Sequence, residues 1–211
     1  MKAGRSTLWA AAAAVATIAI VLLAACKATP LTQPSWPAPS DPMARAKAAG
    51  FEPTNREYLI THTHVHLDVL VDGTAVPIPA GIGIDTKAKG VLEAPTPDGT
   101  GKDYQVMTCD QPCLSELHTH DPDGILHSES KVPDNAPATL GQFFTEWGVR
   151  LDGSCVGDFC TSNTSIAVYV DGKKTDGNPA DIKLMSHLEI AVIIGKPPEI
   201  IPDSWDFLPS Q

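Results

Sequence analysis

"HVHLDVLVDGTAVPIPAGIGI", residues 64–84, decides the fold class. Leu67, Val69 and Val71 alternate with His66, Asp68 and Leu70, the period of a strand. Asp72-Gly73 follows, a residue pair that accepts the positive φ angles of a tight hairpin turn. A hairpin is therefore predicted here. "TSIAVYVDGKKTD" (164–176) predicts a further strand with a second Asp-Gly turn, Asp171-Gly172, and "HLEIAVIIG" (187–195) predicts a last apolar strand. Between them "ATLGQFFTEWGV" (138–149) has helical spacing: Leu140, Phe143, Phe144 and Trp147 fall at i, i+3, i+4 and i+7. Thr139 can cap its start and Gly148 can end it. Core packing accounts for that aromatic stripe better than a ligand box does. Residues 85–108, punctuated by Pro95, Pro97 and Gly99, read as loop.

Strands, one main helix and more strands make an α+β domain with a mixed sheet. The order resembles a β-grasp domain, with a histidine-rich hairpin inserted between the second strand and the helix. A β-sandwich is the alternative.

The N-terminus reads as an export signal. Lys2 and Arg5 precede the apolar run "LWAAAAAVATIAIVLLAA" (8–25), which stops at Cys26. The ending Leu23-Ala24-Ala25-Cys26 resembles the lipobox of bacterial lipoproteins. That resemblance implies cleavage after residue 25, a lipid on Cys26, and a domain held at the outer face of the cell membrane. An uncleaved membrane anchor is the other reading, since the run is about long enough to span a bilayer; both place residues 27–211 outside the cytoplasm. Without residues 1–25 the chain loses two of its 15 basic residues and none of its 25 acidic ones, which leaves a formal charge of −12. Such a charge argues against nucleic acid as a partner. Residues 26–57 comprise Cys26 and a stretch with Pro30, Pro34, Pro37, Pro39 and Pro42, predicted to be an extended spacer. Residues 58–211 are then one domain, large enough for a core.

Four cysteines remain: Cys109, Cys113, Cys155 and Cys160. In an exported chain they predict disulfides, and three pairings are open.

The chain has seven histidines, and six of them sit in two short segments, "THTHVHL" (61–67) and "ELHTHDPDGILHSE" (116–129). Side chains at i and i+2 of a strand share a face, so His62, His64 and His66 point together, as do His118 and His120. Imidazole suits zinc and copper, so these pairs predict a metal site. His64, His66, His118, His120 and His127 are the expected ligands, with His62 and Glu129 as supporting or additional ones. The register of the second hairpin is open. A two-residue loop sets His118 opposite His127, whereas a bulge at Gly124 turns His127 to the other face. His187 stands alone and reads as structural. Asp98, Asp121 and Asp123 lack the spacing of a calcium loop and fit turn chemistry. With only four methionines, zinc or Cu(II) is favoured over Cu(I).

"ELHTHDPDG" resembles the opening motif of the PHP phosphoesterases, and "THTHVHLD" that of the metallo-β-lactamases. Neither resemblance extends past nine residues, and the further metal motifs of both families are missing. The segments "HVHLDVLVDGTAVPIPAGIGI", "LHTHDPDGILHSES", "TLGQFFTEWGV", "VYVDGK" and "HLEIAVIIG" together resemble a family of exported bacterial and archaeal proteins. The resemblance covers about residues 62–208. It implies a common fold and a common site at His64, His66, His118, His120 and His127, and it implies no reaction. The resulting expectation is a membrane-tethered, extracytoplasmic lipoprotein that takes zinc or copper for sequestration, delivery or sensing. An adhesion or scaffold module that binds another envelope protein is the second reading, and a metallohydrolase the third.

Overall fold

A computed structural model describes residues 29–58, 60–133, 136–209 and 211. The expected signal peptide and Cys26 lie outside the described residues. The protein is α+β, built on a mixed sheet. Strand β1 (Thr61–Val71) runs through its centre. It lies parallel to β11 (Glu189–Ile194), and β11 is antiparallel to β9 (Ile166–Val170), which turns through Asp171-Gly172 into β10 (Lys173–Lys174). On its other edge β1 has two antiparallel neighbours in tandem. Its first half pairs with β6 (Ile125–Ser130) and its last residues with β2 (Thr74–Ala75); β5 (Leu117–His118) borders β6. First and last strands parallel at the centre, with a helix packed across them, is the β-grasp arrangement.

The core follows from the alternation of β1. Val65, Leu67, Val69 and Val71 point to one side, with Leu117, Leu126, Val168, Ile190, Val192 and Ile194. Helix α2 (Leu140–Trp147) covers them with Leu140, Phe143, Phe144 and Trp147, all of them buried. A capping box starts this helix: the Gln142 N–H donates to Thr139 Oγ1 and the Thr139 N–H to Gln142 Oε1. Gly148 ends it at φ 78°. All six residues of β11 are buried, because the C-terminal tail covers the face that the helix leaves free. There Ile201 packs on Leu70, Ala191 and Ile193.

Two stretches differ from the sequence expectation. Residues 91–106 are a hairpin, β3 (Val91–Pro95) and β4 (Lys102–Val106), where proline and glycine suggested loop. Pro95 is tolerated at the end of an edge strand, and Asp98 closes the turn by accepting from Thr96 and Thr100. Tyr104 and Val106 bury their side chains with Ile84, Leu114 and the Cys109–Cys113 disulfide in a small second core. The other disulfide, Cys155–Cys160, joins the short pair β7 (Cys155–Val156) and β8 (Phe159–Cys160).

The second difference is the proline-rich stretch, which is docked rather than extended away. Gln33 donates to the Val71 carbonyl, and residues Pro42–Ala48 form helix α1, with Ala46 fully buried. Trp36 packs edge-on against Trp147 at 5.7 Å, and the Trp147 indole N–H donates to the Trp36 carbonyl. Apolar contact with the core outweighs the extended preference of proline. Trp36→Ala should therefore lower stability by about 2 kcal/mol in urea unfolding followed by fluorescence. A free spacer would leave it unchanged.

Candidate metal centre

The pleat that sends Val65 and Leu67 to the helix sends His62, His64 and His66 to the opposite face. His64 pairs with His127 on β6, and His127 pairs with His118 on β5, so three histidines line up across three strands. The register is the one that sets His118 opposite His127, but no two-residue loop produces it. The chain leaves β5 after His118. Thr119 then donates to the Pro79 carbonyl, and the Tyr104 N–H of β4 donates to the His120 carbonyl. His120 is thereby carried onto the β3–β4 hairpin, from which it turns back to His118. Gly124 makes the return at φ 88°, where a Cβ would lie 2.8 Å from the Leu67 carbonyl. Asp121 and Asp123 accept from backbone N–H groups two residues on, as their turn chemistry predicts.

Five histidines meet here in two groups. His62, His64 and His127 bring one donor atom each within 4.8 Å of one another; so do His118, His120 and His127. His62 Nε2 lies 3.2 Å from His127 Nδ1. His118 Nε2 lies 3.2 Å from His120 Nε2. Two carboxylates border the cluster. Glu129 Oε1 is 3.4 Å from His62 Nε2, and Glu57 Oε1 is 3.5 Å from His120 Nε2. Glu129 is buried. Its Oε2 accepts from the Tyr58 N–H, and its Oε1 has no hydrogen-bond partner.

The protons on His118 and His120 can be assigned. His118 Nδ1 donates to the Ser115 carbonyl at 3.0 Å, and His120 Nδ1 to the Tyr104 carbonyl at 2.6 Å. A carbonyl only accepts, so each Nδ1 carries hydrogen, and in a neutral ring Nε2 is then a bare lone pair. The two lone pairs face each other. Such backbone anchoring is how ligand histidines have their tautomer set. Further support comes from the helix: Ser115 Oγ donates to Glu146 Oε1 at 2.7 Å and holds the turn before His118.

Burial disfavours charge on His62, His64, His118 and His127. It pushes His118 and His127 far below the ordinary imidazole range, with neighbouring histidines adding to the effect. Burial first, then His62, His187 and His120, bring His64 down to about 4. Desolvation also raises Glu129 to about 7, against the Tyr58 hydrogen bond.

His66, expected beside His64 as a ligand, is separated from this cluster. Its ring belongs to a group with Asp68 and Glu189 whose donor atoms also lie within 4.8 Å, but both of its nitrogens are occupied. Nδ1 is 2.6 Å from Glu189 Oε2, Nε2 is 3.0 Å from the Asp123 carbonyl, and the Trp205 ring stacks on it at 3.7 Å. Burial opposes its charge, yet the Glu189 hydrogen bond and charge outweigh that and raise it. Both ring nitrogens of His66 face oxygen acceptors, which favours its protonated form. His187 belongs to neither donor group; its backbone N–H donates to the His64 carbonyl, and its ring stacks on Phe207 and bonds the Gln211 carbonyl.

No family model, curated protein or solved structure matches this chain. The site must be read from its own geometry.

That geometry can hold a metal ion, and His62 and Glu129 each offer a donor atom to one of its groups. Glu57, Ser115, Glu146 and the Tyr104 carbonyl carried no sequence signal, since each is brought in by tertiary pairing. A cleft of about 270 Å³ opens nearby over Thr61, Thr63, Ser128 and Ser130; of the cluster Glu129 lines it and none of the histidines does. Among the described residues no helix is long and apolar enough to cross a membrane.

The support from Glu146 has a pH signature. Burial raises Glu146 to about 8, from an ordinary value of 4.5. The folded carboxyl keeps its proton where the unfolded one has lost it. Its stability is therefore full below pH 4.5 and is lost as pH rises toward 8. Glu146→Gln removes that loss, so the variant should gain on the parent by on the order of 3 kcal/mol between pH 5 and pH 8. Parallel urea titrations at the two pH values measure the difference.

Proposed function

We propose that this chain is a metal-binding protein that takes zinc or Cu(II) through His62, His64, His118, His120 and His127. One observation carries the reading. The Nε2 atoms of His118 and His120 lie 3.2 Å apart with both Nδ1 protons committed elsewhere, an arrangement that a cation bound between them would satisfy. Burial keeps His118 from supplying a proton at neutral pH, and a metal ion meets the need. With metal–nitrogen bonds of about 2.0–2.1 Å, two ligands on a tetrahedral ion stand about 3.3 Å apart, which fits. Neutral imidazoles suit zinc and copper and are poor partners for calcium or magnesium.

The Leu23-Ala24-Ala25-Cys26 ending supports a lipid-anchored protein on the outer face of the cell membrane, and the two disulfides agree with an oxidising compartment. With a half-buried donor set, and a cleft that only Glu129 of the cluster reaches, we read the role as sequestration, delivery or sensing of the metal rather than hydrolysis.

The test is elemental analysis of the full chain, purified in detergent without a histidine tag. Zinc or copper should be present or taken up stoichiometrically, and His118→Ala/His120→Ala should lower that content. His66→Ala should leave it in place. No uptake by the parent would end the metal reading. The metal-free chain should also be acid-labile. Histidines held low in the fold contribute stability above pH 6.5 that is lost as pH falls toward 4, and saturating zinc at pH 7 should raise the Tm. Thermal melts with zinc and with chelator check both.

A further inference from the structure

Resting on the metal reading, we propose that the cluster holds two ions, and that His127 joins them by giving one ring nitrogen to each. The five histidines do not converge on one point. They form two triads that have only His127 in common. His62 and His64 come from β1, whereas His118 and His120 come from β5 and the loop beyond it. His127 stands midway. Its ring centroid is 4.6 Å from that of His64 and 4.5 Å from that of His120, and it is nearly perpendicular to both, at 82° and 84°. Its Nδ1 addresses the first triad, 3.2 Å from His62 Nε2. The two nitrogens of an imidazole diverge, so a single ring cannot aim both at one ion. What His127 has left for His118 and His120 is Nε2.

The donors also outnumber one ion's needs. Zinc takes about four ligands, and the cluster offers five imidazoles together with Glu57 and Glu129. The buried, unpartnered Glu129 Oε1 lies between the triads, 3.4 Å from His62 Nε2 and 4.0 Å from His118 Nε2. An oxygen so placed can complete either ion and offset part of its charge. Glu57 stands on the side of the second triad, beside His120. Each half-site thus has three imidazole nitrogens and a carboxylate within reach. With metal–nitrogen bonds of about 2.0–2.1 Å, a shared ring sets the ions on the order of 6 Å apart.

The protons balance. A neutral His127 carries one N–H. When the second ion binds, that proton leaves to solvent and the ring remains as an imidazolate, with one lone pair on each metal. No electron changes hands.

Cu(II) has one unpaired electron and reports on the bridge. The full chain, in detergent, untagged and stripped with EDTA, is loaded with Cu(II), freed of excess by gel filtration, and measured for copper content and for low-temperature electron paramagnetic resonance spin count. The expected result is two copper ions per chain with a spin count well below the copper content, because spins pair through the shared ring. Release of the copper in acid should restore the full count. His127→Ala should hold at most one copper, with its full spin. If that variant fails to fold by circular dichroism, the exposed His62→Ala should retain one copper at full spin in its place. One copper per chain at full spin in the parent would overturn the two-ion proposal and leave the metal reading standing. No copper would end both. Two copper ions whose full, unpaired spins persist without His127 would refute the shared ring.

Discussion

Val65, Leu67, Val69 and Val71 are committed to the helix, and that commitment leaves β1 no freedom elsewhere. A one-residue slip would exchange the faces and drive the histidines into Phe143, Phe144 and Trp147. The apolar set on one side therefore fixes His62, His64 and His66 on the other, and pairing with β6 brings His127 and Glu129 onto the same face. The core and the candidate metal centre are two sides of one strand. Their positions are coupled through the pleat rather than through any contact between them.

A face so built carries a cost. Imidazoles and carboxylates out of water need partners, and a buried polar atom without one is destabilising. Among the described residues, Glu129 Oε1, Glu146 Oε2 and Glu189 Oε1 are buried carboxylate oxygens with no hydrogen-bond partner. The first lies in the cluster, the second belongs to the residue that braces Ser115 beneath His118, and the third to the ion pair on His66. Places where a fold departs from full polar satisfaction tend to be where function is held. Glu129 and Glu146 lie in or brace the cluster, whereas Glu189 serves His66, apart from it, and a fourth unpartnered atom, Arg45 Nε, lies on helix α1.

Much of this was legible in the sequence. The alternation in 64–84, the Asp-Gly turns and the Thr139-to-Gly148 helix are local signals, and each forms where the residues predict. Period 2 also puts His62, His64 and His66 on one face, as found. It could not tell that His66 would meet Glu189, 123 residues away on a parallel strand, and give up both nitrogens. Nor could it show that His118 would oppose His127 across an eight-residue interval, since that register depends on His120 being drawn onto β4 by Tyr104. The 85–108 stretch looked like loop because its prolines sit on an edge, where strands tolerate them. The proline-rich segment looked extended because composition says nothing of Trp36 finding Trp147. Local pattern set the faces, and long-range pairing chose which residues on them keep a free lone pair.

That choice separates two kinds of histidine on a single strand. His66 sits between a carboxylate and a carbonyl beneath an indole, an environment that rewards the protonated ring; stacking of a cation on Trp205 adds to it. His64, two residues back, meets other imidazoles and no carboxylate that would hold its charge, and burial makes it neutral. A cation is thus satisfied at one position by a proton and is still wanted at the other. In the cluster the Nε2 atoms of His118 and His120 face each other because carbonyls of the turn before β5 and of strand β4 hold both rings from behind. Relaxing them would break those bonds and disturb the Ser115–Glu146 brace on the helix. The fold therefore resists rotation of either ring, and the arrangement could hold a cation between them. A metal ion held there would replace a lone-pair contact with two bonds, so its binding would be coupled to stability as well as to affinity.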